Sequence, residues 1–267
     1  MHAANFKALS LDAVYGKFDV EPRDFARFVR EKAAEGYRGL NVTIPHKIAA
    51  AELLDRADET VAVCGACNTL RFDPDGKTSG FNTDVAGFLE CLSSRGFDLK
   101  GRVVFVAGCG GAGSAIAAAA AHALAAKTIL AARRPEQAEA LAAKIASSAV
   151  RPSVETACAR PGATPEETAA AWAAAAARAD LVVNATPLGL KEGDPSALPA
   201  SAFRKGQLVL DIIPTKRFPP TAALAREMGA EAMDGLEFLA RQGAKSFEIW
   251  TGVAADFAAM LRSAREG

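Results

Sequence analysis

Three short segments in the first third of the chain combine residue types that packing alone does not explain. They are Asn41-Val42-Thr43-Ile44-Pro45-His46-Lys47, Gly65-Ala66-Cys67-Asn68-Thr69 and Gly80-Phe81-Asn82-Thr83-Asp84-Val85-Ala86-Gly87. Each sets Asn and Thr at the end of an apolar run, and two of them add a charge, Lys47 or Asp84. Short polar side chains at strand ends are placed to converge on a small hydroxylated ligand. Lys47 and Asp84 each open a helix in this reading. A lysine at a helix N-terminus faces an unfavourable dipole, so helix stability does not account for its position. A surface ion pair is the plain reading of any one Lys and Asp, but the surrounding polar segments favour a functional pair. The asparagines have plainer uses: Asn41 as a cap for the helix after Pro45, and Asn82 or Thr83 as a cap for the helix at Asp84. His46 reads as a neighbour of Lys47 and not as a catalyst, and Phe247 and Trp250 read as core.

A second constellation is Gly108-Cys109-Gly110-Gly111-Ala112-Gly113, a G-x-G-x-x-G between the apolar run Val103–Ala107 and an Ala-rich helix. In that context the motif reads as a dinucleotide site, not as a merely flexible loop. The first glycine makes the turn, the second admits the pyrophosphate, and the third lets helix and strand pack closely. Backbone N–H groups and the dipole of the helix N-terminus meet the anion. At the end of the next strand an acid would bind a ribose 2′-hydroxyl. The chain has Ala131-Ala132-Arg133-Arg134 there, with no acid until Glu136. Guanidiniums suit a 2′-phosphate, so NADP is expected over NAD.

Two groups of elements are needed to position these residues. Pro22 and Gly36 bracket a helix over 21–36, Gly39 to Thr43 is a short strand, and Pro45 opens a helix with Lys47 in its first turn. Residues 67–72 and 78–82 form a hairpin about Asp73–Lys77, and a helix runs from about Asp84 to Ser94. From Arg102 strands alternate with helices. The strands fall at 103–107, 128–131, 153–158, 181–183 and 208–212, and the helices run to about 126 and over 135–147, 164–178 and 221–228. This alternation is the pattern of a doubly wound parallel sheet. From Gly235 the chain is helical, broken near Thr251-Gly252. The expected fold is therefore α/β: a Rossmann dinucleotide domain over 101–235, and a smaller α/β substrate domain over 1–100 with returning helices over 236–267.

Composition narrows the function classes. Lys plus Arg equals Asp plus Glu at 31 each, which gives no reason to expect nucleic acid or an anionic membrane as partner. No apolar run has the length of a membrane span, and the opening residues lack a secretory pattern. Five scattered cysteines fit reduced thiols in a cytoplasm better than a disulfide framework. Cys64-x-x-Cys67 has no second Cys/His pair at ligand spacing, so no metal is expected. The partner is a small-molecule substrate, and the chain is expected to work as a monomer or homodimer.

The polar segments resemble the N-V-T-x-P-x-K, G-A-x-N-T and G-x-N-T-D-x-x-G motifs of the shikimate dehydrogenase family. The resemblance continues through Gly108–Gly113, through Asn184-Ala185-Thr186-Pro187-Leu188-Gly189, and through Gln242, Phe247 and Trp250-Thr251-Gly252, in the family's order over nearly the whole chain. It implies that Lys47 and Asp84 are the catalytic pair and that Thr43, Asn68 and Gln242 contact substrate. It also implies that Arg133 stands where the family holds the 2′-phosphate and that Asn184 and Thr186 contact cofactor. The reaction implied is reversible hydride transfer from NADPH to the ring ketone of 3-dehydroshikimate, in the biosynthesis of aromatic amino acids. The chemistry agrees: reducing a ketone builds negative charge on oxygen, which a nearby ammonium stabilises and protonates.

The chain departs from the family at two places. The family opens with a strand and an S-x-S-x-x-x-H-N segment whose serines hold the substrate carboxylate. Met1-His2-Ala3-Ala4 resembles the tail of that segment, and neither the strand nor the serines are in the sequence. Where the family often has a Tyr after D-x-x, this chain has Pro214. Both departures bear on which ring acid is taken, leaving quinate or another hydroxylated ring acid as alternatives. A non-catalytic sensor of a pathway metabolite is a further alternative, disfavoured because a sensor need not keep a proton donor.

Overall fold

A computed structural model of the chain describes residues 1–147, 152–157 and 163–266. Cys158, the last residue of the strand expected at 153–158, lies outside the described residues. The chain divides into two compact units: Met1–Glu90 with Leu239–Gly267, and Cys91–Phe238.

The first unit begins with α1 (His2–Ala8), followed by a 3-10 turn at Pro22–Asp24 that leads into α2 (Phe25–Ala34). The helix ends where Gly36 takes φ +84°, a conformation that favours glycine. Then come β1 (Gly39–Asn41), α3 (Lys47–Ala51), β2 (Arg56–Ala57) and α4 (Glu59–Cys64), with Asp58 capping α4 by accepting from Val61 N at 3.1 Å. A hairpin of β3 (Thr69–Phe72) and β4 (Thr78–Phe81) turns about Asp73–Lys77, with Gly76 at φ +81°. The four strands lie in the order β1-β3-β4-β2, with β1 antiparallel to β3 and Asn41 opposite Thr69. Phe25, Val29, Val42, Val61 and Leu70 form the apolar core beneath the sheet. Helix α5 (Thr83–Ser93) leaves from β4.

The second unit holds β5 (Val103–Ala107), α6 (Gly111–His122), β6 (Lys127–Ala131), α7 (Pro135–Ala146), β7 (Val154–Thr156) and α8 (Pro165–Ala176). After these come β8 (Leu181–Asn184), a 3-10 turn at Ala200–Ala202, β9 (Leu208–Asp211), α9 (Pro220–Glu227) and β10 (Glu231–Met233). The sheet is parallel, in the order β10-β9-β8-β5-β6-β7. The chain steps outward from β5 through β6 to β7, then restarts on the other side with β8. The topological switch point therefore falls between β5 and β8, where ligands bind at the carboxyl ends of strands in such sheets. Phe105, Ile129, Val182 and Val209 meet Trp172 and a set of alanines in the core. The Ala-rich stretch at 169–177 is the plain helix its composition favours, with a capping box of Thr164 and Glu167 at its start. The chain ends with α10 (Gly235–Thr251) and α11 (Phe257–Glu266). Among the described residues no helix is long and apolar enough to cross a membrane.

The alternating strands and helices appear where their patterns place them. Unread in the sequence were α1, the two-residue β2, α4 and the edge strand β10.

Candidate active site and cofactor cradle

Lys47 is the first residue of α3, a five-residue helix preceded by the Thr43–His46 turn. Its Nζ donates to Asp84 Oδ2 at 2.6 Å. The pair is largely withdrawn from water, with side-chain exposures of 13% for Lys47 and 3% for Asp84. The other oxygen, Asp84 Oδ1, accepts from Asn68 Nδ2 at 2.9 Å, and the Asp84 backbone N–H donates to Asn82 Oδ1 at 3.1 Å. Both carboxylate oxygens are thus satisfied, as a buried charge requires, and Asp84 in the first turn of α5 also meets a favourable dipole. The lysine keeps further donor capacity beyond this bond. A surface ion pair would show none of this enclosure.

Asn68 has a fixed facing. Its Oδ1 accepts from Thr83 N at 2.8 Å, Thr69 Oγ1 at 3.0 Å and Thr83 Oγ1 at 3.1 Å, so its amide group must point to Asp84 and to Gln242 Oε1 at 3.4 Å. Gln242, on α10, offers Oε1 as an alternative acceptor for the Thr83 hydroxyl at 3.3 Å. Four expected site residues, Lys47, Asp84, Asn68 and Gln242, are therefore joined in one bonded chain. The fifth, Thr43, is exposed in the turn before Lys47 and stands outside that chain.

Asn41 is not a helix cap. It sits in β1, where its Nδ2 donates to Ser246 Oγ at 2.9 Å and its Oδ1 accepts from Tyr15 Oη at 3.0 Å, and α3 has no side-chain cap. The reason is the register: Asn41 lies opposite Thr69, facing a polar cluster that offers better partners than a distant helix end. Asn82 does act as the cap of the helix at Asp84, through the bond from the Asp84 backbone. His46 bonds the Val20 backbone carbonyl through Nε2 at 2.8 Å and stacks on Phe25 at 4.5 Å. Phe247 is fully buried, whereas Trp250 adds a bond, its Nε1 donating to Leu70 O at 2.8 Å. Sequence reasoning missed Ser246. The available signal was its position four residues after Gln242 and four before Trp250, which puts all three on one stripe of the helix.

In the second unit the glycine loop leaves β5 at the switch point. Gly108 has φ +99°, and a Cβ there would meet Ala185 O at 2.6 Å. A Cβ on Gly113 would lie 1.9 Å from Gly108 O. Gly110 precedes α6 with no side-chain cap, so the first N–H groups of the helix, at Gly111, Ala112 and Gly113, are left for a ligand anion. These features fit a dinucleotide pyrophosphate. Arg133 and Arg134 are exposed after β6, and no ion pair of either is found among the described residues. Asn184 is fully buried at the end of β8. It accepts from Thr186 N at 3.0 Å and Thr186 Oγ1 at 2.7 Å while donating to Asp211 Oδ1 at 3.1 Å and Leu188 O at 3.2 Å. Both side chains thus shape the turn after β8. Asp211 is fully buried, its Oδ2 has no hydrogen-bond partner among the described residues, and burial pushes its carboxyl up to about 6.

Two family models match the chain. One is described as the shikimate dehydrogenase substrate binding domain and covers residues 1–70, and the other as the shikimate 5'-dehydrogenase C-terminal domain and covers residues 235–265. The NADP(+) shikimate dehydrogenase of Rubrobacter xylanophilus is 38% identical over 98% of this chain and 89% of its own. The shikimate 5-dehydrogenase of Thermus thermophilus, solved with NADP(H) and shikimate, superposes with a TM-score of 0.84 at 32% identity, covering 99% of this chain and 92% of that one. The quinate dehydrogenase of Corynebacterium glutamicum, solved with NAD, gives a TM-score of 0.84 at 30% identity over 98% and 91%. With that agreement over nearly its full length, the chain belongs to the shikimate dehydrogenase family.

Proposed function

We propose that this chain is an NADP-dependent shikimate dehydrogenase that reversibly reduces the ring ketone of 3-dehydroshikimate to shikimate. The observation that carries the reading is the enclosed Lys47–Asp84 pair at 2.6 Å, whose acid is held on its other oxygen by Asn68. Lys47 Nζ donates a hydrogen bond to the substrate's carbonyl oxygen and passes it a proton as negative charge develops there. Asp84 keeps that ammonium aimed through the 2.6 Å bond, and in the reverse direction it stands beside the group that takes the proton back. Asn68, Gln242 and Thr43 bind ring hydroxyls or the carboxylate and so fix which carbon faces the cofactor. The cofactor is held by the Gly108–Gly113 loop with the α6 N-terminus on its pyrophosphate, by Arg133 on its 2′-phosphate with Arg134 beside it, and by the turn that Asn184 and Thr186 shape. Bound there, the reduced nicotinamide supplies the hydride for the carbonyl carbon. By function, residues 1–100 with 236–267 form the substrate domain and 101–235 the cofactor domain, whereas the compact units divide earlier, after Glu90 within α5, and later, after Phe238 within α10. The protein is cytoplasmic and works as a monomer or homodimer in aromatic amino acid biosynthesis.

Quinate oxidation with NAD is the second reading, favoured by the likeness to the Corynebacterium enzyme and by Pro214 where the family often has a Tyr. Arg133 and Arg134 without a neighbouring acid speak against its cofactor. Both are decided by following NADPH absorbance with 3-dehydroshikimate, then NADP⁺ and NAD⁺ reduction with shikimate and with quinate. Turnover of 3-dehydroshikimate with NADPH is expected. Turnover confined to quinate and NAD⁺ would establish the second reading, and tight binding without turnover would make the protein a sensor.

A further inference from the structure

The amide oxygen of Gln242 has only long contacts, 3.4 Å to Asn68 Nδ2 and 3.3 Å to Thr83 Oγ1, while its Nε2 donates back to Leu239 O of the same helix at 2.8 Å. Its place must therefore be set by the helix that carries it. One turn on, Ser246 is fully buried and bonded much more tightly. Its Oγ accepts from Asn41 Nδ2 at 2.9 Å, lies 2.9 Å from Thr69 Oγ1 and 3.2 Å from Thr83 Oγ1, and donates to Gln242 O at 3.1 Å.

A serine that only folds back on the carbonyl four residues earlier is ordinary and slightly disfavours a helix. Here that bond uses the one hydroxyl proton and leaves both lone pairs free for donors from outside. Those donors come from β1 and β3, so a single atom ties the Gln242 turn to two strands and to the start of α5. A second turn on, Trp250 Nε1 donates to Leu70 O, continuing the same stripe at the same spacing. On the adjoining face α10 is pressed so close to α5 that a Cβ on Gly87 would meet Gln242 N at 2.9 Å.

The proton count gives the hydroxyl cluster a direction. With Ser246 donating to Gln242 O, Thr69 is left to donate to Ser246 Oγ, Asn68 Oδ1 or Thr83 Oγ1, and Thr83 to Asn68 Oδ1, Gln242 Oε1, Ser246 Oγ or Thr69 Oγ1. Thr83 can therefore release Gln242 Oε1 to a ligand and turn to Asn68 without leaving a buried donor unpaired. Such a donor would otherwise oppose the change. Ser246 completes this arrangement, because without it Thr69 loses its nearest acceptor, at 2.9 Å, and Asn41 loses its shortest bond.

We propose that Ser246 is a positioning residue for substrate binding: it anchors α10 on β1 and β3 and so sets the place of Gln242, whose weakly engaged amide oxygen is available to the substrate. The inference rests on the function proposed above. It is tested with Ser246→Ala, Ser246→Cys and Gln242→Ala, and with the Ser246→Ala/Gln242→Ala double variant, measuring KM and kcat for shikimate, KM for NADP⁺ and Tm. Cysteine keeps the volume and loses the strong hydrogen bonds, so it separates bonding from packing and stands in if the alanine variant folds poorly.

The expected result is a rise in KM for shikimate on the order of tenfold in both single Ser246 variants, what losing a neutral hydrogen bond or two amounts to. KM for NADP⁺ should stay within about twofold, because the change is confined to the substrate unit. In the Gln242→Ala background the Ser246 effect on KM should shrink to about twofold or less, because the two act through one contact. A fall in Tm with unchanged KM for shikimate, a wild-type-like cysteine variant, or effects that simply multiply in the double variant would each overturn it. Absence of turnover by the unaltered protein would overturn the proposed function and this inference together. Normal wild-type turnover with an unaffected Ser246→Ala would overturn the inference alone.

Discussion

Lys47 and Asp84 owe their meaning to what surrounds them. Each oxygen of the buried acid has a partner, and one of those partners is the lysine itself. Removing the ammonium takes away the proton donor but leaves the pockets for hydroxyls intact. Lys47→Met should therefore lower kcat by roughly 10²–10⁴-fold, the usual worth of general acid catalysis, with KM for shikimate changed little. Groups that act as a unit lose their effect together, so adding Asp84→Asn to Lys47→Met should cost little more. An unchanged kcat in Lys47→Met would remove the lysine from the chemistry. At the other site the guanidinium of Arg133 is exposed, without an ion-pair partner among the described residues. Arg133→Ala should raise KM for NADP⁺ by about tenfold to a hundredfold, the value of a charge-assisted hydrogen bond, and leave NAD⁺ kinetics alone. Equal losses for both cofactors would show that Arg133 does not read the 2′-phosphate.

At the scale of elements, the glycine loop separates two kinds of requirement that its motif writes with the same letter. Gly113 is needed by the fold, because a Cβ would lie 1.9 Å from the backbone oxygen of Gly108. Gly113→Ala should destabilise the protein by roughly 1–3 kcal/mol, as overpacking does, with a visible fall in Tm. Gly110 has an ordinary φ of −78° and open space where a Cβ would go. Gly110→Ala should leave Tm unchanged and still raise KM for NADP⁺, because the new methyl occupies the path of the pyrophosphate. Unaltered KM in that variant would move the pyrophosphate elsewhere. This contrast marks what the sequence could and could not carry. The buried strands β5, β8 and β9 were legible as unbroken apolar runs, and α7, α8 and α9 from their alternation with the strands. Short α4 and two-residue β2 were not, since six and two residues give no period to read. The Lys47–Asp84–Asn68 cluster was legible from strand-end polarity. The hydroxyl hub at Ser246 was not, because its partners Asn41, Thr69 and Thr83 are brought to it by strand register and by the return of α10 from more than 150 residues away.

At the scale of the whole molecule, the two units carry buried ionisable groups that respond to acid in opposite senses. In the first unit, burial pulls the His2 imidazole down to about 4 beneath the rings of Tyr15 and Trp250. Above its unfolded value near 6.5 the ring is neutral in both states and costs nothing. As the pH falls from there toward about 4, the unfolded chain takes up the proton first, and the first unit loses stability by about 3 kcal/mol in all. In the second unit, burial pushes Asp211 up to about 6 from 3.8. Below 3.8 it is protonated in both states. As the pH rises from there through 6 the unfolded chain gives up the proton first, so the second unit loses about 3 kcal/mol, and acidification from neutrality restores it. Other carboxylates bend the raw curves, so the informative quantity is the difference between each variant and the parent across pH 3.5–7.5, read by calorimetry. His2→Phe keeps an aromatic ring in the stack and should gain on the parent as the pH drops from about 6.5 to 4, in the transition of the first unit. Asp211→Asn should lose ground against the parent over about pH 6 to 4, in the transition of the second unit. A His2→Phe difference that stays flat across the whole range would mean the imidazole is protonated in place, and a flat Asp211→Asn difference would mean the Asp211 carboxyl ionises without cost.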